Sequence, residues 1–195
     1  MENLLVDNKV LKEKGIEIER VQLDINALEP KSEAFTQKNP MQTVPALELD
    51  DGTVISETIA ICRYFEEIQP DPLLFGKTPL EKAVNEMWQR RMEFHFLLPV
   101  ANVFRHAHPA MADWEKPQIK EFSDANRPKV LEFLSWLDTE LADRQFIAGD
   151  AFTIADITAI AAADFMKPAR LEIPETLTNV LRWYGEMKER PSYRA

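Results

Sequence analysis

The sequence is poor in several residue types, and each shortage excludes a class of protein. With one cysteine, Cys62, the chain forms no internal disulfide, which fits a reducing cytoplasm. Only 5 glycines in 195 residues argue against a β-rich, turn-dense fold. Lys and Arg number 23 against 33 Asp and Glu, and the net charge of −10 argues against a nucleic-acid partner. Apolar runs are too short and too interrupted by charge to span a membrane, and charges flank residues 4–6, so we expect no signal peptide.

The first third of the chain has the pattern of mixed helices and strands. Alternating apolar and charged residues over positions 16–25 predict a half-buried strand. A short helix is expected over 32–38, and a hairpin of strands 45–49 and 53–55 around Asp51-Gly52. Ser56 is expected to cap the helix that follows.

A proline-rich stretch then divides the chain. Pro70, Pro72 and Gly76 mark a boundary between a domain of residues 1–70 and a domain of residues 77–195. The second domain is predicted to be all-helical. Its long first helix begins at Pro79 and runs to about residue 107, with a kink at Pro99.

Two further helices follow in this domain, and the second has the clearest start signal in the chain. Apolar residues recur at helical spacing between Val130 and Leu141. Further on, Thr153 and Asp156 have the spacing of a capping box, with Phe152 placed as one half of a hydrophobic staple. The helix beyond is apolar nearly all round, so we expect it at the centre of its domain. A last helix is predicted over 175–188.

Two segments in this order resemble the cytosolic glutathione S-transferase family. The first holds Val44-Pro45 before a strand, the Asp51-Gly52 hairpin and Glu57-Thr58 at a helix start; the second is the capping box. Residues 76–82 and the His106-x-His108-Pro109 motif look closest to a bacterial and fungal branch. The resemblance implies a thioredoxin-like N-terminal domain followed by an all-helical C-terminal domain. It further implies transfer of the glutathione thiolate to an apolar electrophile, a role in detoxification, and a homodimer.

The resemblance also implies a set of glutathione-binding residues. Val44, before a cis-proline at Pro45, would exchange backbone hydrogen bonds with the cysteinyl unit of glutathione. The N-terminus of the helix and the Thr58 hydroxyl suit the γ-glutamyl carboxylate, and Glu57 suits its ammonium group. Lys31, or else Lys38, would meet the glycyl carboxylate. The histidines lack metal-ligand spacing, so we expect no metal.

The sequence departs from the family at its start. The family presents Tyr, Ser or Cys to the glutathione sulfur after its first strand, yet this chain has none of the three before Ser32. Either residues 1–14 form the first helix and the first strand is missing, or residues 4–6 are the strand and the helix is short. Three explanations compete: residues are omitted from the sequence, the form is shortened and impaired, or a water held by His106 activates the thiol instead.

The helical domain supplies the remaining expectations. The apolar co-substrate is expected in a cleft lined by the long helix, at Met92, Phe96, Val103 and Phe104. Apolar residues early in that helix are expected at a twofold dimer interface, namely Val84, Met87 and Trp88. The alternative function is a non-catalytic glutathione-binding or scaffold protein with the same fold.

Overall fold

Eight helices and one two-stranded sheet make up the described part of the chain. The structure is a computed structural model that describes residues 2–194, with side chains from residue 6 onward. The helices are α1 (Glu2–Lys14), α2 (Glu33–Lys38), α3 (Thr58–Ile68), α4 (Pro79–Met92), α5 (Leu98–Arg105), α6 (Lys120–Glu140), α7 (Ile154–Met166) and α8 (Thr178–Lys188), and the strands are β1 (Ala46–Glu48) and β2 (Val54–Ser56). This is a small thioredoxin-like N-terminal domain followed by an all-helical domain, as the sequence predicts.

The start of the chain is a helix rather than a strand. Because α1 runs from Glu2 to Lys14, the alternative that makes residues 4–6 a strand is wrong, although Met1 and the side chains of residues 4–5 lie outside the description. The strand predicted over residues 16–25 is wrong, since that segment has no strand assignment. The described sheet pairs only β1 with β2, so the alternating segment has no ladder partner to satisfy its backbone.

The hairpin and its flanking helices form largely where the sequence predicts them. Ser32 caps α2 by accepting a hydrogen bond from the Phe35 amide. In the hairpin, Ala46 pairs with Ser56 and Glu48 with Val54. The predicted cap of α3 is wrong: the N-cap residue is Glu57, one position after Ser56, and no side chain caps this helix.

The boundary segment between α3 and α4 is fixed by a buried lysine. The side chain of Lys14 is fully buried, and its ammonium donates to the carbonyl oxygens of Gln69 (2.8 Å) and Pro72 (2.9 Å). It also pairs with Glu66 at 2.6 Å. The Glu66 carboxylate in turn accepts hydrogen bonds from the backbone of Leu74. The segment is therefore held to the N-terminal domain by charge-assisted hydrogen bonds.

The predicted long helix is present, but a π turn interrupts it. Thr78 and Glu81 form a capping box at the start of α4. Residues Glu93–Leu97 then form a π turn that leads into α5. Pro99 follows directly and lacks the amide that a continuous α-helix would use, which accounts for a break in the hydrogen-bond ladder at this place.

The core of the helical domain surrounds α7. The capping box of Thr153 and Asp156 is present, and almost every residue of α7 is buried. Helix α6 contributes the predicted apolar face, Val130, Leu134 and Leu137, with Leu141 just beyond it. No helix in the described residues is long and apolar enough to cross a bilayer.

Candidate functional site

The hairpin register brings the two predicted glutathione-binding segments to one end of the sheet. Because Ala46 lies opposite Ser56, the segment just before β1 and the start of α3 lie at the same end of the hairpin. Val44 and Thr58 are therefore both near this end of the sheet. The Val44–Pro45 peptide bond is cis, as the resemblance implies. Among the described residues, neither the N–H nor the C=O of Val44 takes part in a backbone hydrogen bond.

The loop before Val44 is held by a buried asparagine. Asn39 is only 2% exposed, and its side-chain amide donates to the Thr43 carbonyl oxygen at 2.8 Å. Its Oδ1 accepts a hydrogen bond from the Met41 amide at 3.2 Å. These bonds order the loop without using the polar groups of Val44, which remain available to an extended ligand.

The N-terminus of α3 carries two unusual residues. Glu57 is exposed and has a φ of 69°, a conformation that residues other than glycine rarely adopt. Thr58 is 7% exposed, yet its hydroxyl has no hydrogen-bond partner in the described structure. A buried hydroxyl without a partner costs folding free energy. Strain and an unsatisfied polar group side by side are typical of a site whose ligand completes it.

A second acidic residue lies near this end of α3, and the sequence analysis missed it. This residue is Glu93, in the π turn. Burial raises its pKa, and the nearby carboxylates of Glu86 and Glu57 raise it further, whereas Arg90 lowers it. Its carboxylate pairs with Arg90 at 2.9 Å. One turn earlier, the fully buried Gln89 accepts a hydrogen bond from Thr158 (2.8 Å), and its side chain also acts to lower the pKa of Glu93. No local signal marks Glu93, because it comes 36 residues after Glu57 on an ordinary charged helix face.

The two candidate lysines both have partners in the structure. The Lys31 ammonium donates to the Asp113 carbonyl oxygen at 3.0 Å and lies 4.6 Å from the centre of the Trp114 ring. It thus links the N-terminal domain to the loop after α5. Lys38 forms an exposed ion pair with Glu48 on β1. Neither contact joins a lysine to Val44 or to the start of α3.

His106 lies at the end of α5 and stabilises the loop that follows. Its Nδ1 accepts a hydrogen bond from the Ile119 amide at 3.1 Å, so in the neutral ring the proton is on Nε2. Nε2 lies 3.7 Å from a carboxylate oxygen of Glu115, and the ring meets Phe122 edge-on at 5.0 Å. No hydrogen bond or ion pair of the described residues joins His106 to Val44 or Thr58. The site residues are therefore brought together only in part.

Two expectations about the long helix are corrected. The four residues predicted to line a substrate cleft lie in the hydrophobic core instead, since they are 8% exposed or less: Met92, Phe96, Val103 and Phe104. Trp88, predicted at a dimer interface, is 3% exposed and stacks on Trp136. Helical periodicity identified an apolar face correctly, but that face packs on α7 rather than on a ligand or a second chain.

Cys62 is not a reactive thiol in this structure. Burial and the neighbouring Asp7 raise its pKa, and its Sγ donates to Asp7 Oδ1 at 3.5 Å. Among residues 2–194, the structure holds no cluster of three or more histidine, cysteine or acidic side chains able to bind a metal ion.

Comparison with known proteins agrees with this geometry. Residues 10–68 match the sequence profile described as "Glutathione S-transferase, N-terminal domain", and residues 94–191 match the one described as "Glutathione S-transferase, C-terminal domain". The chain is 40% identical over 178 residues to Glutathione S-transferase 2 of Saccharomyces cerevisiae, covering 91% of this chain and 76% of that protein.

Solved structures give the same picture. The crystal structure of Gtt2 from Saccharomyces cerevisiae superposes with a TM-score of 0.94 at 38% identity, covering 99% of this chain and 94% of that one. A glutathione S-transferase domain-containing protein from Marinobacter aquaeolei gives a TM-score of 0.95 at 35% identity, with 99% and 96% covered. A class Gtt2 enzyme of Vibrio parahaemolyticus gives 0.87 at 36% identity, with 100% and 92% covered.

Proposed function

The chain belongs to the glutathione S-transferase family, and we propose that it binds glutathione at the end of the hairpin and transfers its thiolate to an electrophilic carbon of an apolar substrate. The observation that supports this most is that two sets of polar groups at this end of the hairpin lack hydrogen-bond partners. The backbone of Val44 has no partner, and the buried Thr58 hydroxyl at the same end of the hairpin has none either, among the described residues. Glutathione carries groups that suit both.

Each end of glutathione has a proposed partner. The free N–H groups at the start of α3 and the Thr58 hydroxyl bind the γ-glutamyl carboxylate. Its ammonium lies between Glu57 and Glu93, where a cation would offset both the burial and the weaker carboxylate repulsion that raise the pKa of Glu93. Val44 pairs with the cysteinyl unit beside Pro45, and Lys31 reaches the glycyl carboxylate by leaving the Asp113 carbonyl oxygen.

Calorimetry on two variants tests glutathione binding. Thr58→Val keeps the shape of the side chain and removes a hydroxyl that has no protein partner, so stability should stay level or rise while affinity falls about tenfold or more. Glu57→Ala should weaken binding by about ten- to a hundredfold. Glu67→Ala, an exposed acidic control on the same helix, should bind like the wild type. Unchanged affinity in both site variants would refute this location.

The transfer step needs the thiolate. The sulfur donates an electron pair to the electrophilic carbon, a C–S bond forms, and the leaving group departs with the electrons of its own bond. A cysteine thiol has an ordinary pKa near 8.5, so a group must stabilise the thiolate at neutral pH. We assign this to a water that accepts a hydrogen bond from His106 Nε2 and donates to the sulfur, because Nδ1 already accepts from Ile119.

A non-catalytic glutathione-binding or scaffold protein is the alternative function. Its support is that no described contact of His106, the proposed activating residue, reaches Val44 or Thr58. Turnover of 1-chloro-2,4-dinitrobenzene separates the two functions. A transferase releases chloride and the thioether faster than the uncatalysed reaction, whereas the alternative protein binds glutathione without accelerating it.

We also propose a twofold homodimer in the cytoplasm. Leu80, Val84 and Met87 share one face of α4, and Leu80 and Met87 are 74% and 41% exposed. Sedimentation at micromolar concentration should give about twice the chain mass of 22.5 kDa. Met87→Glu should shift the protein to monomer, and Leu73→Glu, an exposed apolar position outside α4, should not.

A further inference from the structure

A buried pair of polar side chains joins α7 to the last turns of α4. Gln89 is 0% exposed and Thr158 is 1% exposed, and the Thr158 hydroxyl donates to Gln89 Oε1 at 2.8 Å. The core around them is formed mostly by apolar residues, so burial of this pair costs folding free energy. Because an apolar pair of similar shape would fill the space at equal or lower cost, packing alone does not explain the two polar residues.

The other end of the Gln89 amide is directed to Glu93. The two residues are four positions apart and therefore lie on the same side of the long helix. Since Oε1 of Gln89 already accepts from Thr158, the N–H groups of the amide are the atoms left to face the carboxylate. Gln89 lowers the pKa of Glu93, as a donor to a carboxylate does. Thr158 thus fixes which end of the amide faces Glu93.

The charged groups around Glu93 leave one negative charge uncompensated. The carboxylates of Glu57 and Glu86 repel that of Glu93. Arg90 is shared, since its Nε donates to Glu86 at 2.8 Å and its Nη1 lies 2.9 Å from Glu93. Arg63, from α3, also pairs with Glu86. Three carboxylates are therefore matched by two guanidinium groups, and one further cation would balance the cluster.

Helix α7 holds Glu93 without adding a charge. Among the described residues, no charged group of α5, α6 or α7 shifts the pKa of Glu93. The two carboxylates of α7, Asp156 and Asp164, accept hydrogen bonds from α8 instead. A neutral donor such as the Gln89 amide orients a carboxylate and leaves its negative charge in place for a cationic ligand, whereas an arginine neutralises it.

We propose that Gln89 and Thr158 are positioning residues for recognition of the γ-glutamyl ammonium of glutathione. Thr158 orients the Gln89 amide, and the amide holds the Glu93 carboxylate ionised and turned towards the ammonium. Neither residue touches the ligand, so each acts on it only through Glu93. This role rests on the proposed glutathione site, and the experiment below distinguishes failure of the role from failure of the site.

The pH dependence of ligand affinity tests the role. Calorimetry between about pH 5 and 8 uses S-methylglutathione, whose sulfur cannot ionise, and its des-amino analogue, in which hydrogen replaces the ammonium. In the wild type, affinity for S-methylglutathione should fall as the pH falls through the pKa of Glu93, because protonation removes the charge that binds the ammonium. Glu93→Gln should remove most of this dependence. The des-amino analogue should show little of it in either protein.

Three substitutions separate positioning from packing. Gln89→Met keeps the size of the side chain but removes the amide, so affinity for S-methylglutathione at neutral pH should fall about three- to tenfold, and its decline should begin at higher pH. Thr158→Val should act in the same direction by freeing the amide to turn, and Thr158→Ser, which keeps the donor, should bind like the wild type. The control is Ser123→Ala, which removes another buried hydroxyl of this domain, a donor to the Val103 carbonyl oxygen at 2.9 Å, and should change neither affinity nor pH dependence.

Two results would overturn the positioning role. One is wild-type affinity and pH dependence in both Gln89→Met and Thr158→Val, and the other is an equal loss for both ligands, which would indicate a general disturbance of packing. Carbon-13 NMR of glutamate-labelled protein without ligand gives an independent measurement. The Glu93 carboxyl, assigned by its absence in Glu93→Gln, should titrate at higher pH in both variants than in the wild type, and an unchanged titration also overturns the role. If the wild type binds neither ligand, the glutathione site is refuted, while the NMR titration still decides whether Gln89 holds Glu93.

Discussion

Removal of the Asp156 carboxylate should be among the most damaging single changes in this protein. The carboxylate is fully buried and accepts four hydrogen bonds. The donors are the amides of Ile147 (2.8 Å) and Thr153 (2.9 Å), the Thr153 hydroxyl (3.2 Å) and the indole of Trp183 (3.0 Å). Burial raises its pKa to about 6, while these donors oppose the rise, so the group is ionised at pH 7.5. It thereby joins the start of α7 to α8 and to the loop before α7.

The expected loss can be worked from these bonds. Asp156→Ala leaves three buried N–H donors without an acceptor, each costing about 1–3 kcal/mol. Release of a buried charge offsets part of that cost, because ionisation is already unfavourable enough to raise the pKa. We therefore expect the free energy of unfolding to fall by about 3–5 kcal/mol. For a chain of this length that lowers Tm by about 10–15 °C.

Urea unfolding at pH 7.5, followed by circular dichroism and tryptophan fluorescence, measures this loss. The control is Asp138→Ala, because Asp138 Oδ1 accepts from the first-turn amides of Asn179 (2.8 Å) and Val180 (2.9 Å) in α8 but is only half-buried. Its loss should be about 1 kcal/mol, that of an ordinary cap. Asp156→Asn, which keeps one acceptor oxygen, should fall between the two. A loss for Asp156→Ala no larger than that for Asp138→Ala would refute the reasoning.

Three further substitutions have defined outcomes. Burial raises the pKa of Asp7 to about 7 against 3.8 in the unfolded chain, so the folded state holds its proton longer and stability falls as pH rises from about 4 to 7. Asp7→Asn should remove this fall in stability, which the size of the pKa shift puts at about 4 kcal/mol. Urea titrations at several pH values measure it, and an equal dependence of unfolding free energy on pH in both proteins would contradict the prediction. Glu57→Gly relieves a φ of 69°, so thermal unfolding should show equal or higher stability than in Glu57→Ala, while calorimetry shows the same loss of glutathione affinity in both. His106→Ala should move the inflection in the pH dependence of turnover with 1-chloro-2,4-dinitrobenzene up towards pH 8.5. The control, His108→Ala, removes an acceptor for the Ala110 amide and should not move the inflection. If the inflection stays in place in His106→Ala, another group stabilises the thiolate.

Local sequence signals correctly predicted the elements whose hydrogen bonds join residues close together in the chain. The capping box of Thr153 and Asp156 and the Asp51-Gly52 turn each involve residues within a few positions of one another, and both form. The predicted strand over residues 16–25 is wrong because its hydrogen bonds would need a partner from elsewhere in the chain. A strand is stable only beside a partner, and alternation of apolar residues says nothing about whether one is present.

The candidate site likewise contains residues that the sequence could identify and residues that it could not. Val44 and Thr58 were identified from the family resemblance, and the short hairpin between them brings both to the same end of the sheet. Glu93 was missed because it reaches Glu57 only through the packing of α4 on the N-terminal domain. Met92 and Phe96 were assigned to a cleft because periodicity defines an apolar face without saying what covers it.

The π turn explains why the long helix can serve both the core and a ligand surface. In a continuous α-helix, Met92 and Phe96 would be one turn apart on the core face, and residues between them would point to solvent at a fixed angle. The wider turn at Glu93–Leu97 accommodates one extra residue in the ladder and changes that angle for everything after it. Phe96 stays in the core, while Glu93 lies near Glu57 at the start of α3 and Phe94 is 50% exposed. One local irregularity thus lets a single helix contribute Phe96 to the core and Glu93 to the proposed ammonium site.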